Sequence, residues 1–244
     1  MTKAKAGEGM KSEVPGKEPT VLALHGNLGR TSDWERLNIP GLRALDLWSF
    51  SDLSYENFSE FLIEEASEEK SPPVVAGYSL GGRLALGAMV HSPTTWAGGV
   101  ILSTNPGLQS QEERQARLES DAQWARLAKW EEWDDFLARW NAQAVLADCP
   151  AERGRRALEV RRSEVAMAFQ NWSLGLQPDF RDRLGEVDAP VLWICGSRDA
   201  KFRKLGEEAV ALLPKGDLVV LPGKGHRCLT EAAAEVMRDW LANL

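Results

Sequence analysis

The sequence predicts an α/β fold: a mostly parallel central sheet with helices on both faces and a helical cap insertion. Three observations point there. Short apolar, β-branched runs alternate with segments of helical spacing. Several of those runs end in glycine-bearing turns, such as LHGN, AGYS and ICGS. One stretch, roughly 106–178, breaks the alternation with charged, strand-poor sequence.

In chain order, TVLAL (20–24) is the first predicted strand and RALDLW (43–48) the second. SYENFSEFLIEEASE (54–68) has the apolar spacing of a helix. PVVAGYS (73–79) reads as a buried strand, RLALGAMVHS (83–92) as a helix and GGVILST (98–104) as another strand. After the charged stretch come two more strands, PVLWICG (190–196) and DLVVLPG (217–223). TEAAAEVMRDWLANL (230–244) is an amphipathic final helix. The expected division is a core of 19–105 and 179–244 with a helical cap over 106–178. Residues 1–18 are polar and lysine-dotted and lack an apolar h-region, so they read as a disordered leader, not a secretory signal.

With 244 residues, 43% hydrophobic and 27% charged, the chain can bury one full core. A net charge of −7 without a lysine- or arginine-rich block argues against a nucleic-acid partner. No apolar run approaches the roughly 20 residues of a membrane helix, so no membrane insertion is expected. Cys149, Cys195 and Cys228 are odd in number and show no CxxC spacing, which suits reduced thiols in a cytoplasmic protein. No metal-ligand cluster or phosphate-cradling loop stands out, so neither a metal nor a cofactor is expected.

Chemistry concentrates in GYSLG (77–81). G-x-S-x-G between a strand and a helix is a nucleophile elbow, which pushes the Ser79 hydroxyl out of the sheet in a strained turn. The Leu80 N–H then faces any developing oxyanion at the positive end of the following helix. The alternative is a glycine-rich turn holding an ordinary serine. Of three histidines, His25 lies in the HGNLG loop, where the Asn27 N–H could be the second oxyanion donor. His91 ends the helix after the elbow and reads as a dipole-stabilising terminal residue. His226 follows a strand, at the sheet end where open parallel sheets place their sites. Asp199, after the strand PVLWICG, can orient it. The order Ser79, Asp199, His226 is that of the α/β-hydrolase arrangement.

HGNLGRTSDW, GYSLGGRLAL, NPGLQSQEERQARLESDAQWA, SLGLQPD and CGSRDAKFRKL carry a closer likeness. Over these stretches the chain resembles the bacterial 2-succinyl-6-hydroxy-2,4-cyclohexadiene-1-carboxylate synthases, lyases of the α/β-hydrolase superfamily. The elbow and the HG loop are common to many hydrolases, whereas the NPGLQ stretch and Arg83 are more particular. The resemblance implies elimination of pyruvate in menaquinone biosynthesis, with Ser79 as base, His226 as proton acceptor and Asp199 as orienter. It further implies a small-molecule polycarboxylate substrate, met by Arg83 and Arg117, with Tyr78 and Trp140 lining the pocket. Guanidinium groups suit carboxylates because they bind them in a charge-assisted fork. On this view an Arg83→Ala variant loses more activity than stability.

The chain departs from the family's pattern in three places. DLWSFSDLS stands where DLPGHG is usual, so one pocket wall is expected to differ in shape. Asn27 replaces a commonly apolar residue. A third family arginine falls among Arg156, Arg161 and Arg162, with Arg162 expected to reach the pocket. Two other functions share these residues. One is a small-molecule carboxylesterase or C–C bond hydrolase with Ser79 as nucleophile, and the other is a catalytically silent binding protein. The arginines argue against a neutral ester, and the intact triad argues against a silent protein.

Overall fold

A computed structural model describes residues 19–147 and 149–244; the expected leader, 1–18, lies outside them. Six parallel strands form one sheet in the order β2-β1-β3-β4-β5-β6. They are β1 (Val21–Leu24), β2 (Leu42–Leu45), β3 (Val74–Tyr78), β4 (Gly98–Leu102), β5 (Val191–Gly196) and β6 (Gly216–Leu221). The strands read as continuous apolar runs because both faces are covered. Leu22, Leu24, Val75, Ile101 and Trp193 enter one core, and Val21, Ala23, Ala76, Leu102 and Ile194 enter the other.

Along the chain, α1 (Ser32–Glu35), α2 (Tyr55–Ser67) and α3 (Leu80–His91) precede the cap helices α4 (Gln111–Trp130), α5 (Trp133–Asn141) and α6 (Arg162–Asn171). Then α7 (Ala200–Val210) and α8 (Glu231–Leu241) complete the core. The face carrying Leu22 is covered by α2, α3 and α7 and is continuous with the cap, through Phe58, Leu84, Ala209 and Phe136. The other face takes α1 and α8, through Trp34, Ala233 and Met237. Among the described residues, no helix is long and apolar enough to cross a membrane.

Two features depart from the predicted elements. The second strand stops at Leu45 instead of running to Trp48, and a 3-10 turn, Leu47–Phe50, follows it. There the Leu47 N–H is given to the His25 ring, not to a neighbouring strand. Helix α1 has only four residues, too short for a periodic signal.

Within the cap, α4 starts with a reciprocal box: Ser110 Oγ accepts the Glu113 N–H, and Glu113 returns a carboxylate to the Ser110 N–H. Among the described residues of 142–154 there is no helix, so the insertion is not helical throughout. Its two ends are pinned together, because the Phe180 N–H donates to the Pro106 carbonyl at 2.9 Å.

Candidate active site

Ser79 sits directly after β3 with φ +53° and ψ −106°, a left-handed conformation that is strained for a residue with a side chain. The close approach of neighbouring chain explains the glycines: a Cβ at Gly81 would strike the Leu24 carbonyl, and one at Gly82 would strike Thr104 Oγ1. The first hydrogen bond of α3 runs from the Arg83 N–H to the Ser79 carbonyl. The Leu80 N–H therefore lies outside the helix ladder, beside the serine. The facing loop turns through a Gly29 N–H to Gly26 carbonyl bond of 2.9 Å, and Asn27 on that turn lines the cleft.

Ser79 Oγ is 3.1 Å from His226 Nε2, and His226 Nδ1 is 2.8 Å from Asp199 Oδ2. The carboxylate accepts from Nδ1–H, which leaves Nε2 free to accept the serine proton. Asp199 is also the N-cap of α7, its Oδ1 accepting the Phe202 N–H. One carboxylate oxygen thus starts a helix while the other aims the imidazole. Phe202 and Tyr78 flank that ring, with centroids 4.3 and 5.8 Å away. Burial pushes the Tyr78 hydroxyl well above its ordinary pKa, so it stays neutral.

His25 has a different role. Its Nδ1 donates to the Gly26 carbonyl at 2.9 Å and its Nε2 accepts the Leu47 N–H at 3.1 Å. Both nitrogens are engaged, and the buried ring holds the HG loop to the start of the 3-10 turn. The unusual DLWSFSDLS stretch closes the same corner: Trp48 Nε1 donates to the Gly29 carbonyl at 2.9 Å, under the loop that carries Asn27. His91 is exposed at the last position of α3.

The cleft above Ser79 measures about 570 Å³, part of it open to solvent. Asn27, Tyr78, Ser79, Arg117, Trp140 and His226 line it, all named from sequence, and so do Phe202, Gln143, Glu152 and Arg227, which were not. Arg227 was signposted only by its adjacency to His226, and Phe202 by its place one turn after Asp199. Arg117 spends its Nε on Asp121 Oδ2 at 2.8 Å, and its side chain is 37% exposed. Ser173 Oγ also donates to that Asp121 oxygen, so the carboxylate is shared.

The structure revises the expectation for two arginines. Arg83 does not line the cleft: it is buried, with Nη1 on Gln177 Oε1 at 3.1 Å and Nη2 on the Trp172 carbonyl at 2.8 Å. The side chain turns inward, onto Trp172 and Gln177 at the end of the insertion. Burial pulls its pKa down to about 10, with Tyr55 opposing and Arg117 adding to the fall, and it remains cationic at neutral pH. Arg162 also lies away from the cleft lining, donating to the carbonyls of Lys129 and Glu131 and stacking over Trp133. Arg161 pairs with Asp46 and Glu164, and Arg156 with Asp134.

Comparison with known proteins places this geometry in a lineage. Residues 21–239 match the model of the alpha/beta hydrolase family. A Haemophilus influenzae protein, provisionally named a 2-succinyl-6-hydroxy-2,4-cyclohexadiene-1-carboxylate synthase, is 33% identical over 84% of this chain and 89% of its own length. A Photorhabdus laumondii protein named for the same synthase is 30% identical over 92% of this chain and 86% of its own. The solved structure of MenH from S. aureus superposes with a TM-score of 0.82 at 20% identity, covering 93% of both chains. The chain therefore belongs to the alpha/beta hydrolase family and, within it, to the 2-succinyl-6-hydroxy-2,4-cyclohexadiene-1-carboxylate synthases.

Proposed function

We infer that this enzyme is a carbon–oxygen lyase. It eliminates pyruvate from a succinyl-enolpyruvyl-hydroxycyclohexene-carboxylate to form 2-succinyl-6-hydroxy-2,4-cyclohexadiene-1-carboxylate in menaquinone biosynthesis. The observation that carries the reading is an intact Ser79–His226–Asp199 relay opening into a cleft that also holds the Arg117 guanidinium.

In this reading Ser79 Oγ takes a proton from the ring carbon while its own proton passes to His226 Nε2, and Asp199 stabilises the resulting imidazolium. Electron density from the broken C–H bond forms the new double bond as the C–O bond to the enolpyruvyl group breaks. Enolpyruvate leaves as its enolate and takes at carbon the proton that His226 gives back, becoming pyruvate and restoring the relay, and no acyl-enzyme forms. The N–H groups of Leu80 and Asn27 face the negative charge that develops on a substrate carbonyl or carboxylate. Arg117, whose terminal nitrogens are not used by Asp121, is the anchor for a substrate carboxylate, while Tyr78 and Trp140 wall the cleft. Arg83 supports the cap from below. The three free thiols fit a reducing cytoplasm as the site of the reaction.

The test assays pyruvate release from the precursor alongside hydrolysis of p-nitrophenyl esters. Pyruvate release with slow ester turnover is expected. Rapid ester turnover without pyruvate overturns the lyase reading in favour of a hydrolase.

A further inference from the structure

Directly after His226 in the chain comes Arg227, whose side chain leaves the core loop and enters the cap. Its Nη1 donates to the carbonyls of Pro150 at 3.0 Å and Cys149 at 3.4 Å, and its Nη2 donates to Asn141 Oδ1. Its backbone N–H points at Cys149 Sγ, 3.5 Å away, and its Nε lies 3.7 Å from Glu152 Oε2. That same Glu152 oxygen is 3.0 Å from Arg155 Nη2. Arg155 in turn forks onto Asp33, with Nη1 to Oδ1 at 3.1 Å and Nη2 to Oδ2 at 2.7 Å. Asp33 Oδ2 also accepts the Arg30 N–H at 2.9 Å, in the loop that carries Asn27.

A continuous line of charge thus runs from the histidine loop, through the cap, to the oxyanion loop. The Arg227 and Arg155 side chains are 8% and 6% exposed, so water competes little for these contacts. Burial works against the charge on Arg155, but Glu152 and Asp33 outweigh it and hold its pKa above the ordinary arginine value. Forked guanidinium contacts fix direction as well as distance.

We propose that Arg227 is a positioning residue: anchored in the cap, it fixes the backbone of its neighbour His226, so that cap seating and the Ser79–His226 contact are set together. Arg227 lines the cleft, but its donors are turned to the cap, and it acts through His226, not on substrate. The inference rests on Ser79 and His226 being the reacting pair and not on which substrate they meet. A shift of about 1 Å in such a pair costs on the order of 100-fold in rate.

The test uses Arg227→Gln and Arg227→Lys in the full chain. It measures kcat and KM for pyruvate release, the melting midpoint, and the rate at which a fluorophosphonate labels Ser79. In the labelling step Oγ bonds to phosphorus, fluoride leaves and His226 takes the proton, so the rate reports on the pair without any lyase substrate. Arg227→Gln is expected to lower kcat and labelling together by about 10- to 100-fold, with KM changed by less than about threefold and part of the rate retrieved by Lys. Turnover and labelling within about twofold of the parent, measured where the variant is folded, overturn the proposal whatever the melting midpoint does. If Arg227→Gln does not fold, Asn141→Ala and Glu152→Gln loosen the same anchor from the cap side. Slower labelling in both supports the proposal, and parent-like labelling in both overturns it. Slow labelling of the variants beside a parent that releases no pyruvate keeps the positioning role and removes the substrate assignment.

Discussion

The strand ends that carry Ser79 and Asp199 and the cap that faces them are held by different forces. Every residue of β3 and β5 is buried, and their placement follows from apolar packing on both faces of the sheet. In the cap, Trp124, Phe136, Trp140 and Phe169 pack on one another and join the apolar core of the sheet, yet the loops that carry Asn27 and His226 meet the cap through directed charge. Arg155 reaches Asp33, Arg227 reaches Asn141, and Arg83 reaches Gln177 and Trp172 from below. Shape therefore fixes the strand ends, whereas the cap adds polar contacts to the apolar core it shares with the sheet. Such contacts give direction more than stability.

The largest effect expected from breaking this contrast lies on the rigid side. Ser79→Ala should lower kcat for pyruvate release by about 1,000-fold or more, with a melting midpoint within about 2 °C of the parent. A variant keeping more than about a tenth of the parent turnover would remove the chemistry from the strand ends.

Next come the two arginines that the cap uses differently. Arg117→Ala should lower kcat/KM by about 10- to 100-fold, or ~1.4–2.8 kcal/mol, and also lower stability, because the buried Asp121 carboxylate keeps only Ser173. Arg83→Ala should instead cost about 2–4 kcal/mol of stability in urea unfolding, because it strands Gln177 and the Trp172 carbonyl in the interior. This reverses the expectation from sequence. Parent-like unfolding of Arg83→Ala with lost activity would restore Arg83 as a substrate contact.

The smallest effect is chemical. Burial pushes Cys228 up to about 12 and Cys195 up to about 11, so both stay protonated at pH 8. Iodoacetamide on the folded protein should mark Cys149, in the cap, and leave the other two untouched. Earlier labelling of Cys195 or Cys228 would mean that the core opens before the cap.

What could be read in the sequence divides along the same line. The strands, the elbow and the acid and histidine loops were legible because apolar period and glycine placement are local signals. The overlong second strand was misread because Leu47 is apolar enough for a strand, while its N–H is claimed by His25. The line from Asp33 through Arg155 and Glu152 to Arg227 was invisible, since its members lie 122 residues apart at Arg155–Asp33 and obey no period. The direction of Arg83 was hidden too: motif spacing places it one turn from Ser79 but does not say which way the helix faces.

One consequence follows from the hydrogen bond between Phe180 and Pro106. The insertion departs after β4 and returns before β5, strands that are already neighbours, and this bond ties its neck. Everything threaded through that neck is a cassette. A change of sequence inside it redraws the cleft wall and also reaches the histidine loop, because Arg227 is held there.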